Sequence, residues 1–173
     1  MSEREPLDVK NLDRYGSPPL EWSRAHDALA QATGPAATFF LGTCGPDGTP
    51  HAAGLGAMWY EGDLYFISGA SMRKAKNLAI NPHCTISVRL QGIDLVLSGT
   101  AARTVDPAVL EPVAARYREA GWPAQVEGEA LVAPFCAPSA GPPPWHLYRF
   151  RFHTVTGVAT AEPTGATRWR FTT

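Results

Sequence analysis

Lysine is scarce in this chain of 173 residues: Lys10, Lys74 and Lys76 are the only three, and nearly every other cation is arginine. Charge of either sign is sparing. Charged residues make up 18% of the chain and its net charge is −1, which excludes a general nucleic-acid or membrane-binding surface and leaves any attraction for anions local. Cys44, Cys84 and Cys136 stand far apart with no C-x-x-C pair, a pattern of reduced thiols rather than a disulfide frame or zinc site. The histidines His26, His51, His83, His146 and His153 lack H-x-H or H-x-x-x-H spacing, so no metal is expected. No apolar run approaches the roughly 20 residues of a membrane span, and the opening MSEREPLDVKNLDRYG lacks the apolar core of a secretion signal. These absences lead us to expect a cytoplasmic protein with no membrane or nucleic-acid partner. A G-x-S-x-G elbow, a G-x-G-x-x-G turn and a G-K-[ST] phosphate loop are all missing, which argues against a serine hydrolase, a Rossmann enzyme and a nucleotide triphosphatase.

Apolar residues, at 45%, suffice for one sizeable core. We read residues 1–20 as a flexible arm and residues 21–173 as a single domain. Trp22, Ala25, Leu29 and Ala32 recur on one face of a helix over Glu21–Thr33, with Gly34 as its stop. Ala37–Thr43 and His51–Tyr60 read as a hairpin across the turn Gly45–Pro50, and Leu64–Ser68 follows the turn Glu61–Asp63. Cys84–Leu90 and Leu95–Arg103 flank a turn at Gln91–Asp94. Asp106 caps and Pro107 opens a helix that carries Leu110, Val113, Ala114 and Tyr117 towards Gly121, with Pro112 delaying or kinking it. Gly121–Pro144, rich in Gly, Pro and Ala, reads as a long surface crossover. Trp145–His153, Thr154–Thr160 and Thr167–Phe171 return to strand. Many short antiparallel strands with few helices favour a closed or split barrel over a doubly wound sheet.

Two stretches of this plan point to chemistry. Ser68–Pro82, SGASMRKAKNLAINP, reads as a helix with Ser71 as N-cap, Met72, Ala75, Leu78 and Ala79 on one face, and Asn81-Pro82 at its end. Arg73, Lys74 and Lys76 fall in its first turns, near the positive end of the helix dipole, and no Asp or Glu lies between Asp63 and Asp94 to offset them. A bound phosphate and a solvated basic face account for this cluster about equally well. Gly54 and Gly56 interrupt an otherwise good strand, which fits a flat ring lying on the backbone or a bend of the barrel. A planar aromatic ligand with a phosphate tail suits the glycine strand, the strand end at Ile67-Ser68 and the basic turn together.

The run GTCGPDGTPHAAGLGAMWYEGDLYFISGASMRKAKNLAINPHCTISV (Gly42–Val88), with the closing TRWRF, resembles the pyridoxamine 5′-phosphate oxidase-like split-barrel family, best over Ala37–Arg103 and more weakly from Trp145 onward. That resemblance implies a mainly β, six-stranded antiparallel split β-barrel with flanking helices. It implies a homodimer holding FMN or the deazaflavin coenzyme F-420 at its interface. By the same resemblance Gly54, Leu55, Gly56 and Met58 line the ring, Ile67 and Ser68 contact the ring or ribityl chain, and Arg73 and Lys74 hold the phosphate, with Lys76 and Asn77 as further candidates. Trp169 and Arg170 are implied at or near the partner's cofactor site.

Two departures shape the expected activity. Ala53 stands where the oxidases carry an arginine that helps bind FMN phosphate, which leaves FMN and the deazaflavin both open. The R-x-H-D-R signature for pyridoxal phosphate is absent, and YRFRFH (Tyr148–His153) is no substitute, so vitamin B6 oxidation is not implied. What remains is an oxidoreductase that passes a hydride to or from a small planar organic substrate. The alternative is a non-catalytic protein that holds the cofactor or a tetrapyrrole. The cofactor carries such chemistry, so no catalytic side chain is assigned. His51 reads as a packing residue rather than a base, and Cys44 has no local cation to activate it.

Overall fold

The computed structural model describes residues 4–32 and 37–172. In chain order its elements are β1 (Asp8–Asn11), α1 (Trp22–Gln31), β2 (Phe39–Cys44), β3 (Pro50–Leu55), β4 (Ala57–Tyr60), β5 (Asp63–Ser68), α2 (Arg73–Ile80), β6 (His83–Leu90), β7 (Ile93–Thr104), α3 (Pro107–Glu119), β8 (Gln125–Glu127), β9 (Ala130–Val132), β10 (His146–Ala159) and β11 (Ala166–Arg170).

Period-two alternation builds the barrel wall. Phe39 and Leu41 on β2, Ile86 and Val88 on β6, and Leu95 and Leu97 on β7 point inward and are buried. All the strand pairs are antiparallel, in the order β3-β2-β6-β7-β10-β5-β4 around the barrel. Gly56 alone separates β3 from β4, so these two are one bent strand that pairs with β2 in its first half and with β5 in its second. Counted so, six strands close through that bend, and the protein has the expected split barrel. Helix α1 places Trp22, Ala25 and Leu29 on the barrel core, where Trp22 meets Trp169 at 5.5 Å and Phe171 at 4.7 Å between ring centroids. Helix α3 starts as expected, with the Asp106 carboxylate accepting from the Ala108 amide and Pro107 in the first turn.

Several expectations need correction. Asp8–Asn11, read as part of a flexible arm, pairs in register with β11, and Arg4 reaches the Asp63 carboxylate at 3.2 Å. That carboxylate is buried and also takes Arg149 at 2.6 Å. The two strands expected over Trp145–Thr160 are one strand, β10, with a bulge between Phe152 and Thr154. Gly121–Pro144 is not merely a surface crossover: it carries the β8–β9 hairpin, and Ala124, Leu131, Ala133, Ala137 and Ala140 pack with Leu110, Val113, Tyr117 and Trp145 in a second core outside the barrel. Ser71 is not the cap of α2. Met72 holds that position, and no side chain caps the helix. The end expected for the first helix at Thr33 and Gly34 lies outside the described residues. Among the described residues no helix is long and apolar enough to cross a membrane.

Candidate functional site

Where the bent strand meets the second core, the wall opens into a cavity of about 520 Å³. Thr38, Gly54, Leu55, Gly56, Met58 and Ile67 line it from the barrel side. The opposite wall is Tyr117 of α3, Ala120 at its C-cap, Trp122 just beyond it, and the turn Ala137-Pro138-Ser139. A Cβ built on Gly56 would meet no atom within 4 Å, so the backbone there is open to whatever enters. Tyr117 is the one titratable group in the lining. Burial pushes its phenol well above the ordinary range, and its hydroxyl lies 3.5 Å from the Tyr65 carbonyl it faces. The described lining is therefore mostly apolar and uncharged.

A cation is tied to the cavity's lining at Ser139. Strand β5 feeds directly into α2, whose first turn carries Lys74 with only 3% of the residue exposed. The Lys74 ammonium donates to the backbone carbonyl of Ser139, a residue that lines the cavity. Among the described residues no carboxylate pairs with it, and burial pushes its pKa below the ordinary lysine range. The first amides of α2 lack a side-chain cap, so the dipole and a buried cation coincide at the cavity's edge.

Of the residues singled out from sequence, Gly54, Leu55, Gly56, Met58 and Ile67 come together in this one cavity, and Lys74 reaches its rim through Ser139. Ser68 is buried, but its hydroxyl donates to the Gly69 carbonyl at 3.1 Å. Asn77 is buried and gives its amide to the Thr43 hydroxyl at 2.9 Å, which ties α2 to β2. Arg73 and Lys76 are exposed. The chain brings one carboxylate near Arg73 after all: Asp47, in the β2–β3 turn, is held below the usual carboxylate range by the Thr49 hydroxyl and amide, with a smaller contribution from Arg73. Trp169 and Arg170 are not brought to the cavity of this chain. Alternation turns the Trp169 ring into the barrel core, fully buried, and leaves Arg170 on the outer surface.

Sequence reasoning missed the far wall. Tyr117 registered only as an apolar position of α3, and nothing in the spacing of Trp122, Ala137, Pro138 and Ser139 ties them to Gly54 and Gly56.

Comparison with known proteins agrees with this architecture. Three solved structures share the fold at low identity. An F420 reductase has a TM-score of 0.53 and 19% identity, covering 75% of this chain and 94% of its own. An FAD-binding protein from Mesorhizobium loti has a TM-score of 0.53 and 16% identity, covering 93% of this chain and 96% of its own. A heme binding protein from Mycobacterium smegmatis has a TM-score of 0.55 and 14% identity, covering 80% of this chain and 54% of its own. No curated protein matches the chain closely enough to count as a relative. The model of the pyridoxamine 5′-phosphate oxidase family matches residues 25–159, and the chain belongs to that family.

Proposed function

We propose that the protein holds a flavin-type cofactor, FMN or the deazaflavin F-420, and passes a hydride between it and a small planar organic substrate. The observation that carries this reading is Lys74: a buried cation with no carboxylate partner among the described residues, at an uncapped helix start, tied through Ser139 to the rim of an apolar cavity. A flat ring with an anionic tail matches that donor set, and the open backbone at Gly56 leaves room for it. When bound, such a ring supplies the hydride chemistry itself.

The chain's own residues do the rest. Lys74 and the first amides of α2 balance the tail's charge. Gly54 and Gly56 let the ring approach the backbone, while Met58, Ile67 and Trp122 exclude water around it. Tyr117 stays protonated across neutral pH and serves as a fixed wall, not a proton shuttle.

The reading includes a homodimer. Two neighbouring cross-strand rows run over the outer face of β3, β2, β6, β7 and β10: Gly54, Phe40, Ser87, Val96 and Thr156, then Ala52, Gly42, Thr85, Ser98 and Thr154. None of these residues is charged, and Phe40 and Val96 are 52% and 46% exposed. A sheet face turned to water ordinarily carries charge, so this one fits burial against a second copy. Gly54 belongs to both the face and the cavity, so that copy would wall the cofactor site. Arg170, in register with Thr154, borders the face, which keeps its place near a partner's site within this proposal.

Anaerobic titration with FMN and with F-420, followed by reduction and reoxidation with a quinone-type acceptor, tests the reading. Binding with reoxidation by the acceptor supports it. Binding without turnover would leave a cofactor holder, and binding of neither would remove the reading.

A further inference from the structure

Among the described residues, the segment that closes the second core over the cavity is held by few bonds. Its turn, Ala137–Gly141, is internally bonded, with the Gly141 amide donating to the Ala137 carbonyl at 2.8 Å. Two contacts fasten it to the anion end of the cavity: the Gly69 amide donates to the Ala140 carbonyl at 2.9 Å, and Lys74 donates to the Ser139 carbonyl. Gly69 is needed for the first, since a Cβ there would stand 2.8 Å from the Ala140 carbonyl. Further along, the Trp145 indole donates to the Gly141 carbonyl at 2.9 Å. Only alanine methyls, Ala137 and Ala140, are buried from the turn, while Phe135, Cys136 and Pro138 around it are exposed. Lifting it therefore uncovers little apolar surface, as expected of a segment from the low-stability end of a fold.

We propose that this turn is a latch operated by the ligand's anion. Lys74 holds the Ser139 carbonyl when no anion is present, and an entering phosphate takes that donor and frees the turn. The proposal rests on the reading of Lys74 as the anion site. The ammonium has three donors, but a phosphate oxygen carries charge where the Ser139 carbonyl carries none, so the phosphate draws the buried ammonium towards itself and away from the turn. The latch keeps a buried cation partly satisfied in the free protein and couples admission of the tail to opening of the wall over the ring.

Cys136, exposed and next to the turn, is a built-in reporter, whereas Cys84 is buried. In a Cys44→Ser protein carrying a nitroxide on Cys136, the free protein should give an immobilised spectrum. Saturating FMN should raise the ratio of mobile to immobile signal roughly ten- to a hundredfold, the equilibrium weight of one hydrogen bond to a charged group. Riboflavin, the same ring without phosphate, should not. Lys74→Met should be mobile without ligand, and Lys74→Arg should restore the immobilised state. The latch is overturned if FMN, shown bound by equilibrium dialysis, leaves the spectrum unchanged, or if riboflavin mobilises it equally. A folded Lys74→Met protein that stays immobilised overturns it too. Should FMN not bind at all, the FMN form of the cofactor reading fails separately, and the ligand-free spectrum of Lys74→Met decides the latch.

Discussion

Replacing Lys74 by methionine keeps most of the unbranched side chain and removes its charged end, which sets two measurable quantities moving in different directions. In the complex, the ammonium is assigned to the ligand phosphate. A hydrogen bond to a charged group is worth about 1.5–3 kcal/mol, so FMN affinity should fall roughly ten- to a hundredfold. Riboflavin should bind wild type and variant within about twofold of each other, because the coupling lies between residue 74 and the phosphate alone. In the free protein the cation is 3% exposed, with a backbone carbonyl and no carboxylate for company. An apolar isostere should then be neutral or stabilising by about 1–2 kcal/mol, or roughly 2–8 °C in melting temperature for a chain of this size. Burial lowers the folded pKa of Lys74 below its unfolded value. The penalty on its charge is thus full below the folded pKa and fades as pH rises towards the unfolded lysine's ~10.4, so Lys74 makes wild-type stability rise over that window and Lys74→Met removes the rise. Calorimetric titration of both ligands into both proteins, with scanning calorimetry of each free protein, reads all of this. Equal FMN affinity in the two proteins, or an equal loss for riboflavin, would refute the reasoning.

Gly56→Val should fold, since a Cβ there meets no atom of the described residues within 4 Å and valine favours strands, and should lose cofactor binding; retained binding by fluorescence titration would make Gly56 a bend residue only. Phe40→Glu puts a charge in the middle of the uncharged rows and should yield monomers in sedimentation velocity, where a monomeric wild type would remove the dimer from the account. Burial pushes the Cys84 thiol up to about 12, so at pH 8 thiol-reactive reagents should modify Cys136 readily and spare Cys84 until the chain unfolds, as peptide mass mapping would show. An unfolded thiol ionises from about pH 8.5, while the folded one waits until about 12, so Cys84 makes stability fall with rising pH across that window.

Much of the barrel was legible because its signals are local. β-rich runs bounded by turns marked β2, β5, β6 and β7, and Asp106-Pro107 marked the start of α3. The glycine strand and the lysine turn were both visible, and the fold does bring them to one cavity. What stayed hidden depends on pairing between distant segments. Asp8–Asn11 is polar and short, and becomes a strand only because β11 offers it an edge. Gly121–Pro144 buries mostly alanines around Leu131, so little in its composition announces a core. Trp169 shows how sharply period two decides: a shift of one residue would have exchanged its buried ring with the exposed Arg170. The Ser71 reading failed because the cap falls one residue later, at Met72, where no side chain can accept from the first amides.

The most direct test of the central claim is the visible spectrum of the purified protein during anaerobic titration with FMN and F-420, with the stoichiometry of bound cofactor per chain. The account predicts saturable binding of at least one of them, a shifted ring absorbance, and reoxidation of the reduced complex on adding an acceptor. A protein that binds neither, with Lys74→Met indistinguishable from wild type, would contradict it.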